Sequence, residues 1–283
     1  MTQRDPHRSG SNPQKSAHQA APASEARTEP TELVHLKIDS QVATITLDSP
    51  RNRNALSAQL RRELLAHLDT AIGTDDARVI VLTHTGTVFC AGMDLKEARG
   101  ADAHGQGVTE FPELLRRLWT SPTPVIARLA GPARAGGVGL VAACDLAVAT
   151  EEVTFAFTEV RIGVVPAVIS VPLLPRMQPA ALYELFLTGE TFDAHRAATI
   201  GLITSAVPSD RLDAEVRRYA DMLRLGAPGA LAGTKDLLRG PSARTMADDL
   251  ATMTRLSAER FASEEGQEGI RAFLEKRPPS WSA

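Results

Sequence analysis

Two places in the sequence carry residues that could do chemistry together. The first is Ala135-Gly136-Gly137. It follows an apolar run, Pro124 to Ala130, and the Gly131-Pro132 break, and it opens a second apolar run, Val138 to Cys144, which ends at Asp145. This order predicts a buried strand, a glycine turn and a helix start. The first amides of a helix have no intrahelical acceptor and carry the positive end of its dipole. Aimed at a reacting carbonyl, they hold a developing oxyanion. The second place is Glu159, a lone acid in FTEVRIGVVP with apolar residues on both sides. A carboxyl in such surroundings has a raised pKa, which suits it to proton transfer near neutral pH. Both features also have plainer readings. A Gly-Gly pair before a helix permits close packing or a tight turn, and a glutamate between hydrophobic residues also occurs at solvated strand or loop positions.

The elements that must position these residues come from the rest of the chain. Its 283 residues suffice for one large domain or two small ones. With 43% hydrophobic and 23% charged residues, it has the composition of a soluble globular protein. A net charge of −3 gives no attraction to nucleic acid or to an anionic membrane surface. Aromatics at 4% leave few platforms for base stacking. The two cysteines, Cys90 and Cys144, lie in apolar segments without a CxxC, so reduced core thiols in a cytoplasmic protein are expected. The histidines are scattered and show no metal-ligand spacing, so no metal is expected.

Residues 1–30 are rich in Ser, Pro, Ala, Gln and charge, with no apolar run. Such a segment cannot offset its ordering entropy and reads as a disordered tail, and it lacks the apolar core of a secretory signal. Val34, Leu36 and Ile38 alternate with polar residues as in a half-buried strand, and Val42 to Leu47 reads as a second strand. Ser57 is placed to cap a helix with Leu60, Leu64, Leu68 and Ile72 on one face. Arg78 to Leu82 reads as a buried strand, Arg99 to Gly107 as a polar surface loop, and Phe111 to Trp119 as a short helix. Helices are expected over 179–188, 193–200 and 209–225, a strand over 203–207, and then helices alone over 230–238, 243–261 and 264–276. Strands alternating with helices, followed by helices only, predict an α/β core with a helical C-terminal region.

Five segments in register add a resemblance to these readings. They are VATITLDSPRNRNAL (42–56), RVIVLTHTGTVFCAGMDLKE (78–97), the central stretch from Thr123 to Ser170, LTGETFDAHRAATIGLITSAVP (187–208) and RFASEEGQEGIRAFLEKRPPSW (260–281). Together they resemble the crotonase, or enoyl-CoA hydratase/isomerase, superfamily, from about Leu33 to Trp281. The motif is similar to the branch of methylglutaconyl-CoA and isohexenylglutaconyl-CoA hydratases. The resemblance implies an α/β fold, a spiral of ββα units over 31–225, with a helical region over 226–283 for trimerisation and for covering CoA. It implies a homotrimer or dimer of trimers that binds an acyl-CoA thioester, with coenzyme A entering as part of the substrate and no other cofactor. No nucleic-acid or membrane partner is expected.

The resemblance also implies site residues. The backbone N–H groups of Met93, before the aspartate of FCAG-x-D, and of Gly136 hold the thioester oxygen. Ala91, Asp94, Gly137, Gly139 and Arg134 lie beside the substrate. Best-known hydratases carry two glutamates; here Gly139 stands at the first place and Glu159 is retained at the second. Three functions follow: a hydratase using Glu159 alone, with water in the room left at Gly139; a Δ3-Δ2 enoyl-CoA isomerase, which needs one base; and a catalytically weak acyl-CoA-binding subunit. Arg134 has two readings, a partner for a distal substrate carboxylate or a solvated or interface arginine. Asp94 reads as fixing the Met93 loop. Arg53 and Lys96 are candidates for CoA phosphates, and the resemblance places Lys276 and Arg277 in a C-terminal helix that approaches a neighbour's CoA.

Overall fold

The structure is a computed structural model that describes residues 31–98 and 110–282. The tail expected over 1–30 and the loop expected over 99–107 lie outside the described residues. The folded unit opens with β1 (Val34–Asp39) and β2 (Val42–Leu47), an antiparallel pair turned at Ser40 and Gln41. Ala43, Ile45 and Leu47 of β2 point inward, as the alternation requires. Helix α1 (Ala58–Gly73) is capped by Ser57, whose hydroxyl accepts the Leu60 N–H at 3.3 Å. The chain continues through β3 (Val79–His84), α2 (Leu95–Ala98), α3 (Glu110–Thr120), β4 (Val125–Leu129), β5 (Ala133–Arg134), α4 (Gly136–Ala143), β6 (Leu146–Thr150) and β7 (Thr154–Ala156). A 3-10 turn at Glu159–Ile162 leads into α5 (Ala167–Leu173) and α6 (Pro179–Thr188). Then come β8 (Thr191–Asp193), α7 (Ala194–Thr199), β9 (Ser205–Val207), α8 (Leu212–Leu225), α9 (Pro228–Ala262) and α10 (Glu264–Glu275).

Two sheets result. The first has the order β1-β2-β3-β4-β6-β9, and every pair after the hairpin is parallel. The second has the order β5-β7-β8. The chain visits the first sheet, then the second, then a helix, and repeats: β4, β5, α4, then β6, β7 and the turn before α5. Bridges Leu56–Met93 and Cys90–Ala133 place earlier loops at the corresponding stage of the path. This is the spiral of ββα units, with helices alone at the C-terminal end. Parallel strands need such crossovers and are buried on both faces. On one face, Val79, Val81, Ile126 and Val148 meet Leu212, Val216 and Ala220 of α8. On the other face lies the main core, including α1, α3 and α4.

Several elements differ from expectation for a physical reason. β5, β7 and β8 have two or three residues each, too few for a period to show. No element is expected between 150 and 179, yet α5 forms at Ala167–Leu173. It buries Ala167, Val168, Ile169, Pro172 and Leu173, so no polar face marks it as a helix. The two helices expected over 230–238 and 243–261 are the halves of α9, parted at Gly240 with φ 50°.

Candidate active site

The site is built on α4. All eight of its residues are buried and none is charged, so it is a core helix. Its N-terminus is set by Ala135, an alanine held at φ 47° and ψ −119°, a conformation that suits glycine. The Ala135 N–H donates to the Ala156 carbonyl at 3.0 Å, which ties the turn to β7. The Val138 and Gly139 amides bond back to the Ala135 carbonyl. Among the described residues, the Gly136 N–H has no acceptor within the protein. At the other end, the Arg176 guanidinium donates to the carbonyls of Ala142, Cys144 and Asp145, which caps the helix where its dipole is negative.

Met93 reaches the same place from the loop after β3. The Ala91 N–H donates to the Arg53 carbonyl at 3.1 Å and the Leu56 N–H to the Gly92 carbonyl at 2.8 Å, so residues 53–56 run alongside 91–93. Asn54, fully buried, holds this loop to the preceding one through the Thr85 and Val88 carbonyls at 3.0 and 2.8 Å. Gly92 has φ +90°, and a Cβ there would lie 3.0 Å from the Ala135 Cβ and 3.4 Å from the Gly136 nitrogen. Only glycine lets the two turns close up, and this brings Met93 beside Gly136. The Met93 N–H, like that of Gly136, has no acceptor among the described residues. Asp94 accepts from the Lys96 N–H at 3.0 Å and from the Asn52 side chain at 3.5 Å, so it braces this loop.

Glu159 begins the 3-10 turn after β7. Gly163, at φ +71°, and Gly269 allow α10 to press on this turn; a Cβ at either would lie within 2.4 Å of a backbone oxygen. The Glu159 side chain is buried, and its Oε2 has no hydrogen-bond partner. Loss of water around the carboxylate pushes its pKa from 4.5 up to about 7, partly offset by its own backbone N–H.

Met93, Gly136 and Glu159 line one cleft of about 590 Å³. Its wall includes Ala91, Asp94 and Arg134 and an apolar side formed by Phe111, Val168 and Ile169. Two donors without acceptors and a neutralisable carboxyl thus face one space. That arrangement can take charge on a carbonyl oxygen and move a proton at the adjoining carbon.

Two residues expected beside the substrate lie outside the cleft wall. Gly137 does not line the cleft, because its α-carbon sits against Cys90, where a Cβ would come within 2.5 Å of the carbonyl oxygen. Gly139 does not line it either. Ile169 occupies the space beside it, and a Cβ there would lie 2.6 Å from Ile169 Cγ2. Arg134 lines the cleft with its guanidinium already bound to backbone and side-chain oxygens of its own chain. Its guanidinium is half-buried and donates to the Ala133 carbonyl at 3.0 Å and to the Thr154 carbonyl and hydroxyl at 2.5 and 2.8 Å. Burial without an acidic partner lowers its pKa. Lys276 follows α10 beside Arg277 and is not part of the cleft wall of its own chain. Arg53 and Lys96 do line the cleft, exposed and without an ion pair among the described residues, whereas Arg277 lines it already paired to Glu268 and Glu275 at 2.6 and 2.7 Å.

Sequence reasoning missed Phe111 and Ile169 as walls, and Arg161, which lines the cleft while bonding the Thr188 carbonyl at 3.3 Å. It also missed Arg61, which is 1% exposed on the buried face of α1. An arginine among Leu60, Leu64 and Leu68 was the available signal.

Comparison with known proteins agrees with this architecture. Residues 37–283 match the family described as enoyl-CoA hydratase/isomerase. The mouse protein named enoyl-CoA hydratase domain-containing protein 3, mitochondrial, is 33% identical, over 85% of this chain and 81% of its own. The crystal structure of an enoyl-CoA hydratase from Mycobacterium avium superposes with a TM-score of 0.81 at 43% identity, over 88% of this chain and 98% of that one. A methylmalonyl-CoA decarboxylase structure superposes with a TM-score of 0.77 at 27% identity, over 89% and 98%. Among the described residues no helix is long and apolar enough to cross a membrane.

Proposed function

We propose that this chain, which belongs to the enoyl-CoA hydratase/isomerase family, hydrates the 2,3 double bond of an enoyl-CoA thioester with Glu159 as its single acid/base group. The observation that carries the reading is the buried, unpartnered Glu159 oxygen in the same cleft as the unpaired Met93 and Gly136 amides. The thioester oxygen accepts from the two amides. Ionised Glu159 takes a proton from water as the water oxygen bonds to C3, and the electron pair moves through C2 onto the thioester oxygen. The enolate then collapses, and C2 takes the proton from Glu159. Two fixed N–H donors favour the enolate over the ground state, and loss of one costs about 3 kcal/mol in comparable sites. Glu159 must be ionised to begin, so hydration speeds up as pH rises through about 7.

A second reading, Δ3-Δ2 enoyl-CoA isomerisation, is favoured by the wall at Gly139. Ile169 and Phe111 offer hydrocarbon and no group to hold water, and moving a proton between C4 and C2 needs only one base. The absorbance of the enoyl-thioester band, followed with crotonyl-CoA and 3-methylglutaconyl-CoA on wild type and Glu159→Gln, tests the proposal. Bleaching by wild type and not by the variant supports hydration. Conversion of a 3-enoyl-CoA instead moves the assignment to isomerisation. Binding without turnover of any of these supports an acyl-CoA-binding subunit.

In this reading coenzyme A enters only with the substrate, and Arg53 and Lys96 are free to meet its phosphates. Association of copies of this chain is supported by Tyr183, Leu187, Leu225, Leu237 and Leu238, all more than 70% exposed. A cytoplasmic setting is consistent with two free, buried thiols.

A further inference from the structure

Arg61 has no place in the chemistry above, yet it is among the largest fully buried side chains of the described residues. A buried guanidinium is costly to desolvate, and its acceptors identify what it holds. Nη1 donates to the Leu56 carbonyl at 2.6 Å, and Nε donates to Glu110 Oε2 at 3.0 Å. Nη2 is buried without a partner.

Both acceptors lead to the two unpaired amides. The Leu56 N–H donates to the Gly92 carbonyl, and Leu56 bridges Met93, so a fixed Leu56 peptide fixes the Met93 amide. Glu110 precedes Phe111 in α3. Leu56 and Phe111 are the two side chains that cover Gly136: a Cβ on Gly136 would lie 3.1 Å from Leu56 Cδ1 and 3.2 Å from Phe111 Cζ. One guanidinium therefore bonds the backbone of Leu56 and the side chain of Glu110, the residue before Phe111, and so ties together the two segments whose side chains cover Gly136. We propose that Arg61 is a positioning residue, which holds the Met93 and Gly136 amides at the spacing needed to share one carbonyl oxygen. A planar fork with fixed donors does this, whereas a lysine provides one mobile point charge. The inference rests on the proposed role of these two amides.

The test is a spectroscopic signature of that role. When two N–H donors polarise the carbonyl of a conjugated thioester, its absorbance moves to longer wavelength. Titration of wild type and Arg61→Met with trans-cinnamoyl-CoA gives both the shift and the Kd. The expected result is a clear wild-type shift, a shift in Arg61→Met cut to about half or less, and a Kd changed by about threefold or less. On crotonyl-CoA, kcat falls about tenfold or more, short of the 10²–10³ lost when a donor is deleted. Arg61→Lys reaches one acceptor and gives an intermediate shift. A full shift and full kcat in folded Arg61→Met overturn the inference. If Arg61→Met does not fold, Glu110→Gln takes its place, since the Glu110 side chain is 34% exposed. It leaves the Leu56 bond intact, so a reduced shift supports the clasp and an unchanged shift overturns it. A wild-type protein that binds cinnamoyl-CoA with no shift removes the amides' proposed role, and the inference falls with it; a wild-type shift that survives in the variants refutes the inference alone.

Discussion

Replacing Glu159 by glutamine removes one titrating proton while keeping the size and shape of the side chain. In the folded chain that proton is held up to about pH 7, whereas an unfolded glutamate releases it near 4.5. Between those values the folded state binds the proton more tightly, so stability falls as pH rises from 4.5 through about 7. At about 1.4 kcal/mol per pH unit, the gap amounts to about 3 kcal/mol. Glutamine stays neutral and does not incur that loss. Glu159→Gln is therefore expected to exceed wild type by only about 1 kcal/mol near pH 5 and by about 3 kcal/mol above pH 8, while turnover falls 10²–10⁴-fold. Urea unfolding at pH 5.0, 6.5 and 8.5, with stability read from midpoint and slope, checks the first part; the enoyl-thioester assay checks the second. A buried carboxylate kept at a cost in stability, and needed for activity, is the pattern of a functional group. If the stability difference between variant and wild type does not change with pH, the carboxyl is solvated or paired, and the argument for its role as acid and base collapses.

Two further outcomes follow from the turn and the wall. Ala135→Gly relieves an alanine held at φ 47° and ψ −119°. Strain of about 1–3 kcal/mol is partly offset by the freer unfolded chain, so urea unfolding is expected to show a gain of about 1 kcal/mol; a loss rejects the strain argument. Gly139→Ala puts a Cβ 2.6 Å from Ile169 Cγ2 and is expected to destabilise by about 1–3 kcal/mol. In a double-mutant cycle, Ile169→Ala recovers about 1 kcal/mol of that loss; additive effects would mean that the two residues do not compete for one space.

Much of this site was legible because its signals are local. A glycine pair opening an apolar helix, and one acid inside an apolar segment, mark Gly136 and Glu159 without knowledge of the fold. The strands flanking them were legible where they were long enough to alternate or to run apolar, as in β1 to β4. The remainder depends on packing between distant segments. Nothing near Gly139 says that Ile169, thirty residues on, fills the space beside it. Nothing near Arg134 in the sequence shows that β7 brings Thr154 to its guanidinium. Arg61 was passed over because a helical period assigns an arginine to solvent unless its acceptors are known.

Several features that are costly to keep lie at or next to one cleft: a strained Ala135, two amides without acceptors among the described residues, a carboxyl oxygen without a partner, and behind the amides a buried guanidinium with a spare nitrogen. Their surroundings are well packed, with an all-buried α4 beneath them and α10 pressed onto the Glu159 turn through Gly163 and Gly269. Such rigidity keeps the donors in place before substrate arrives, which is what electrostatic stabilisation of an enolate requires. An enolate, however, is common to hydration and isomerisation, and a methylmalonyl-CoA decarboxylase shares the fold. In the proposed reading, the amides and Glu159 therefore fix the kind of intermediate and leave the reaction open. The choice falls to the groups around the far end of the double bond. Gly139 lies one turn of α4 beyond Gly136, about 4.5 Å along its axis, within the reach of an acyl chain whose oxygen sits at the Gly136 amide. On that reading the Ile169–Phe111 wall beside it governs whether water or only hydrocarbon meets C3, so substitutions at Ile169 are expected to shift the ratio of hydrated to isomerised product more than any change at the amides, and an unchanged ratio in Ile169→Ala refutes this.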